Sequence, residues 1–157
     1  MSLGKKLSLI GLFLLLAYCA AWITAYRQSS AYFEYAQEQM QQGEWVTALK
    51  GMNKLELRLE DPYLGGYQQV IETWESSLLG PRPGFYQQAI TAASEVLPKL
   101  SDAELLKFID IYVQLDLRYV PEAAVELQER ARQNGDEQLA TEMTEFLTEA
   151  FPEFTHH

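Results

Sequence analysis

Few side chains in this sequence have the chemistry for catalysis or metal binding. His156 and His157 are its only histidines, and Cys19 is its only cysteine. Nucleophilic catalysis needs a thiol or hydroxyl beside a base, and a structural zinc needs four nitrogen or sulfur ligands. Neither set can be assembled from one cysteine in an apolar run and two adjacent histidines far along the chain. The histidines read as a frayed tail or the remnant of a purification tag. Carboxylates are plentiful, and Glu142, Glu145 and Glu149 fall on one helical face. A solvated face is the first reading of that spacing, with a cation site as the alternative. Gly65-Gly66 and the stretch from Gly80 to Gly84 separate helical patterns and do not follow a strand, so they mark turns rather than phosphate loops. The sequence therefore predicts no catalytic residue, no cofactor, no metal and no small-molecule substrate, and the chain is not expected to be an enzyme.

The side chains that do carry a message are apolar. Leu7 through Tyr26 is a run of 20 residues without a charge, bracketed by Lys5-Lys6 and Arg27. At ~1.5 Å per residue, a helix of this length reaches across a hydrocarbon core of ~30 Å. Trp22 and Tyr26 stand at its far end, where amphipathic rings favour the membrane–water interface. Lys5 and Lys6 outweigh Arg27, which predicts the N-terminus inside and the bulk of the chain outside. Two processed forms compete with this retained anchor. The basic start, apolar centre and small residues at Cys19-Ala20-Ala21 resemble a secretory signal. Leu16-Ala17-Tyr18-Cys19 resembles a bacterial lipoprotein box, which would attach lipid to Cys19. The apolar run continues seven residues past Cys19, so the retained anchor is the leading expectation.

About 130 residues follow the anchor, enough for one domain with its own core. Removing Lys5, Lys6 and Arg27 from the 12 basic residues leaves nine against 22 acidic ones, a formal charge of −13 compared with −10 for the whole chain. That balance disfavours nucleic acid, which attracts basic surfaces, and disfavours lying flat on anionic lipid. With a lone cysteine no intrachain disulfide exists, and the core alone must hold the domain.

Helical spacing dominates after residue 30. Tyr32, Tyr35, Ala36, Gln39 and Met40 open a first helix starting near 31 and ended by Gly43. Trp45, Ala48, Leu49, Met52, Leu55 and Leu59 mark a second that ends before Pro62. Tyr67, Val70, Ile71, Trp74 and Leu78 predict a third, and Tyr86, Ala89, Ile90, Ala93 and Leu97 a fourth. Ser101-Asp102-Ala103-Glu104 is a capping box that opens the fifth, carried by Leu105, Phe108, Ile109, Tyr112 and Leu115. Pro121 suits the start of a sixth, with Ala124, Leu127 and Ala131 before Asn134-Gly135. Leu139, Met143, Phe146, Leu147 and Ala150 predict a seventh, stopped by Pro152. The fold class is all-α: 1–27 as a transmembrane signal anchor, 28–151 as a helical domain and 152–157 as a tail.

Helix starts near 31, 66, 102 and 136 recur every 34 to 36 residues, the period of a solenoid of helical hairpins. Residues 31–59 also resemble the tetratricopeptide repeat: Ala36, Gly43, Ala48 and Leu55 follow one another at seven, five and seven residues, with Trp45 at the aromatic position. Gly84-Phe85-Tyr86-Gln87-Gln88-Ala89-Ile90 repeats the pattern of Gly43 through Leu49. In the third hairpin Tyr119 and Ala123 stand one residue too far apart and Leu117 replaces the glycine, while Gly135 and Ala140 could centre a further turn. The resemblance implies about three hairpins plus a C-terminal helix. It also implies a concave surface lined by the first helix of each pair, where Phe33, Gln37 and Gln41 would meet a partner.

Together these readings predict a single-pass protein of a bacterial inner membrane with its domain in the periplasm. Its expected partners are proteins of a membrane complex, which it would serve as an assembly factor, chaperone-like helper or accessory subunit. Two alternatives are a structural subunit held mainly through its transmembrane helix and an outer-membrane lipoprotein attached through Cys19.

Overall fold

A computed structural model describes residues 3–53, 62–77 and 80–154. Among these residues the fold is all-α. The helices are α1 (Leu3–Gln42), α2 (Trp45–Lys50), α3 (Tyr67–Glu75), α4 (Gly84–Ser94), α5 (Asp102–Leu115), α6 (Val120–Asn134) and α7 (Glu137–Ala150), with a 3₁₀ turn at Leu97–Lys99. The chain divides into two compact units whose boundary falls between Ala92 and Ala93.

The largest departure from the sequence reading is at the start. No helix begins near residue 31, because α1 is a single helix of 40 residues that crosses the expected domain boundary at 27/28 without a break. Between Gly11 and Gly43 there is neither glycine nor proline to interrupt it. Ser29, a residue that often competes with helix backbone, instead donates its hydroxyl to the Ala25 carbonyl at 2.6 Å and leaves the helix intact. What changes along α1 is its surroundings. Residues 4–20 are exposed on every side, whereas Ser29, Tyr32, Phe33 and Ala36 are buried on one stripe. By length and composition, α1 is long and apolar enough to cross a membrane.

Gly43 then turns the chain at φ +80, and the Glu44 amide returns to the Gln39 carbonyl at 2.9 Å, closing α1 in the manner expected of a glycine stop. The helix that follows is a second correction. Instead of running to Leu59, α2 ends at Lys50, and Gly51 adopts φ +83. Gly51 is wedged against Gly65 and Gly66: an added Cβ would stand 2.7 Å from the Gly65 Cα and from the Gly66 nitrogen. The Met52 amide donates to the Leu64 carbonyl at 2.9 Å, so the backbone continues across this glycine contact rather than along a helix. Leu55 and Leu59, the expected lower half of that helix, and Leu78, His156 and His157 lie outside the described residues. α3 starts at this crossing, with the Gln69 side chain accepting from the Gly66 amide at 2.7 Å, and buries Tyr67, Val70, Ile71 and Trp74 as its pattern predicted.

In the second unit α5 packs on α6, and α6 on α7. The capping box is present: the Glu104 carboxylate accepts from the Ser101 amide at 2.7 Å while the Ser101 hydroxyl accepts from the Glu104 amide at 3.3 Å. These bonds hold the Glu104 carboxyl below its ordinary value. Small residues at Ala123, Ala124, Ala131 and Ala140 are buried around the α6 axis and let neighbouring helices approach closely. Tyr119 takes the left-handed conformation (φ 67) before α6, at the turn where the first hairpin uses a glycine. Gly135 (φ +75) ends α6, and Asp136 caps α7 by accepting from the Leu139 amide at 3.1 Å.

Candidate functional site

The most elaborated feature of the first unit is the junction where α1 passes from bare helix to core. Tyr18, Trp22, Tyr26, Ser29, Phe33 and Ala36 follow at spacings of four, four, three, four and three, a continuous stripe along one face of a helix. Trp22 stacks on Tyr26 with ring centroids 5.4 Å apart and meets the edge of Trp74 at 5.7 Å. Its indole N–H donates to the Pro81 carbonyl at 3.2 Å. Tyr26 packs on Phe85 at 5.4 Å, and Phe85 stacks on Phe33 at 5.6 Å, with Tyr67 on the edge of Phe33 at 5.9 Å. At the centre, the buried Trp74 indole N–H donates to the Ser29 hydroxyl at 2.9 Å. Three rings of α1 thus interlock with three from α3 and α4 around a single buried hydrogen bond.

The turn between α3 and α4 completes the junction. Gly80 adopts φ +92, and a Cβ there would run into the Tyr18 hydroxyl. Arg82 donates to the Glu75 carbonyl at 3.2 Å and lies 5.0 Å over the Tyr86 ring, which fixes the turn from its outer side. An apolar groove of about 380 Å³, lined by Tyr18, Cys19, Trp22, Ile23 and Pro81, opens between this turn and α1.

The anchor residues named from sequence therefore divide. Lys5, Lys6 and Arg27 are exposed. Trp22 and Tyr26, expected where rings favour the membrane–water interface, pack between α1 and the rest of its unit. Phe33, expected to face a partner, is 8% exposed and buried between Phe85 and Tyr67. Phe33 lies off the stripe of Tyr32, Ala36 and Met40, which is why it was expected at a surface, but Tyr67 of α3 and Phe85 of α4 cover a wider arc that includes it. Gln37 and Gln41 are exposed. The junction was legible in principle, since the stripe from Tyr18 to Ala36 keeps its register through residues 27–30. Treating those residues as a boundary hid it.

In the second unit Arg130 is the focus of the polar contacts. Its guanidinium donates to the carbonyls of Leu100 and Pro98 at 2.6 and 2.9 Å, to Asp102 at 3.1 Å and to Glu126 at 2.8 Å. Burial disfavours its charge, but the bonds to Asp102 and Glu126 outweigh burial and raise its pKa further. Each of the three guanidinium nitrogens has a structural partner, so this cluster pins the 3₁₀ turn to α6. Glu142, Glu145 and Glu149 are exposed. Among the described residues no three His, Cys, Asp or Glu side chains gather as a metal-binding group. At the end of α5, Ile111, Leu115 and Leu117 expose apolar surface, with Leu115 at 69%.

No family model, curated protein or solved structure matches this chain.

Proposed function

We propose that this chain is a single-pass membrane protein whose helical domain binds protein partners of a membrane complex, as an assembly factor, chaperone-like helper or accessory subunit. The observation that carries the reading is α1 itself. One uninterrupted helix is bare and apolar in its first half and forms the spine of a packed unit in its second. Such a helix confines its domain to a bilayer and raises its effective concentration near membrane partners. Lys5 and Lys6 set against Arg27 favour the domain outside, in the periplasm if the membrane is a bacterial inner one. A tetratricopeptide-like arrangement is supported by the glycine turn at Gly43 and the buried Ala36 and Ala48 that flank it. Gln37 and Gln41 on α1 and the apolar tip of α5 are the surfaces offered to a partner.

A second reading, a subunit recognised through its membrane helix, is favoured by the small residues Gly11, Ala17 and Ala20 on the bare part of α1. The two readings part in one experiment. Among the described residues, 4–17 of α1 are exposed, so Leu7–Ala17 can be exchanged for an unrelated apolar sequence while the stripe from Tyr18 onward is kept. Stoichiometric membrane partners that co-purify in mild detergent should persist in this chimera if the domain carries recognition. Their loss would move recognition to the helix. Absence of any stoichiometric partner from the parent protein would refute the interaction reading.

A further inference from the structure

The packing of α1 limits how much of it a bilayer can cover. The α3–α4 turn reaches along α1 as far as Tyr18: a Cβ on Gly80 would collide with the Tyr18 hydroxyl, and the Pro81 carbonyl accepts from the Trp22 indole at 3.2 Å. Side chains of a helix lean toward its N-terminus, so the Tyr18 ring meets Gly80 at the level of its own Cα or on the N-terminal side of it. The chain is non-helical from Gly80 to Pro83, and Pro81 and Arg82 are exposed. Glu75, whose carbonyl accepts from Arg82, is exposed beside them. Irregular backbone and unpaired charge are both excluded from lipid-facing positions in hydrocarbon, because nothing there satisfies them. While the turn is docked on α1, hydrocarbon must therefore end on the N-terminal side of Tyr18, and not at Tyr26 where the apolar composition ends.

We infer that the hydrocarbon-facing part of α1 is Leu7–Ala17 alone, and that the bilayer it fits is a thin one. This boundary depends on the membrane-spanning reading of α1. Residues 4–17 are exposed on every side, free to be covered by lipid. Leu7–Ala17 is 11 residues, about 16 Å at ~1.5 Å per residue. The stems of Lys5 and Lys6, reaching back to the headgroups, add roughly 6 Å. The total of about 22 Å falls short of a hydrocarbon core of ~30 Å. A shortfall of this kind is met by local thinning of the bilayer or by sorting into thinner membrane. Undocking the turn would restore the full run from Leu7 to Tyr26, but only by giving up the Trp22–Pro81 bond and straining the Trp22–Trp74 and Tyr26–Phe85 contacts. With the turn docked, Arg82 stands at headgroup level, where its charge is solvated.

The test uses the full-length protein in phosphatidylcholine bilayers with myristoleoyl, oleoyl or erucoyl chains. Nitroxide labels are placed on the native Cys19 and, in a Cys19→Ala chain, on Leu9→Cys, Leu12→Cys, Leu16→Cys and Ile23→Cys. All of these positions are exposed, so none should disturb the fold. Collisions with oxygen and with a water-soluble nickel chelate report the depth of each label. The label on Leu12→Cys, the midpoint of Leu7–Ala17, should be the deepest, and the label on Ile23→Cys should meet the chelate several-fold more often. Greatest depth at Leu16→Cys, near the midpoint of Leu7–Tyr26, with Ile23→Cys shielded from the chelate, would overturn the boundary. The carbonate-resistant fraction should be several-fold higher in myristoleoyl than in erucoyl bilayers, and two helical turns of leucine inserted after Gly11 should abolish that preference. Equal insertion of the parent in thin and thick bilayers would overturn the match to a thin one. Release of the parent by alkaline carbonate from every bilayer is a separate failure, which would overturn the spanning reading and the boundary with it.

Discussion

Replacing Ser29 with alanine tests whether the junction is held as described. Ser29 is fully buried, and its hydroxyl is the acceptor for the Trp74 indole N–H. Alanine removes that acceptor from a site too enclosed for water to replace it. A buried donor left without a partner costs about 1–3 kcal/mol. The better helix propensity of alanine returns roughly 0.5 kcal/mol. The net loss is centred near 1.5 kcal/mol, and with a urea slope of ~2 kcal/mol/M the midpoint should fall by about 0.7 M. The assay is urea denaturation of the full chain in mild detergent, followed by far-ultraviolet circular dichroism. Ser30→Ala, one residue along and facing Glu34 at 3.5 Å, is the control and should shift stability by less than ~0.5 kcal/mol. In a Trp74→Phe background the indole donor is gone, and Ser29→Ala should then cost about 1 kcal/mol less. If Ser29→Ala costs the same with and without the indole, the hydrogen bond does not link α1 to α3 and the junction is wrong.

Glycine substitutions should separate strain from collision. Gly51→Ala meets both a positive φ and backbone at 2.7 Å, for a loss of roughly 2–5 kcal/mol. Gly135→Ala meets only the positive φ and should lose about 1–2 kcal/mol, so equal losses by thermal or urea melting would contradict the glycine crossing. Arg130→Lys cannot reproduce the fork to Leu100, Pro98, Asp102 and Glu126, and should cost about 1–3 kcal/mol; a neutral result would show that the cluster pins nothing. The Glu104 carboxyl is held below its unfolded value of 4.5 by the Ser101 hydroxyl and amide, so its contribution is complete above that pH. It is lost as pH falls through the lower folded value, and Glu104→Gln should flatten this acid limb in a series of melts. One alanine inserted between Gln28 and Ser29 rotates Trp22 and Tyr26 by about 100° from Phe33 and should unfold the first unit. The same insertion after Gly11 should leave the melt unchanged.

Local signals in the sequence translated well. The Ser101 box, Pro121 at the start of α6, the glycine stops at Gly43 and Gly135 and the stripe on α3 all sit where spacing placed them, because each depends on a few adjacent residues. The errors came from treating a change of composition as a change of structure. Polarity rises sharply at Arg27, yet helix propensity does not fall there, and α1 continues. The reverse happened after Lys50, where apolar spacing persists but a glycine meets two others across the chain. That contact pairs residues 14 and 15 positions apart and has no local signature. Phe33 was misplaced for a related reason. How wide an arc of a helix is buried depends on how many neighbours it has, and spacing along α1 cannot count them.

Continuity of α1 also decides what kind of anchor it makes under the membrane-spanning reading proposed above. A flexible linker would let a domain sample a volume above the bilayer, and its effective concentration at a partner would fall with linker length. A helix whose three rings interlock with three from α3 and α4 allows no such search. At ~1.5 Å per residue, Gln37 stands about 16 Å and Gln41 about 22 Å beyond Tyr26 along the helix axis. A partner meeting these residues must present its own surface in that narrow layer above the membrane, in an orientation set by the rotation of α1. Recognition under those conditions favours partners that are themselves fixed in the bilayer, since both surfaces then arrive at matching heights with little entropy left to lose. A freely diffusing protein gains nothing from that alignment. Under the proposed reading, the rigid junction is therefore the physical reason to seek a partner among membrane proteins.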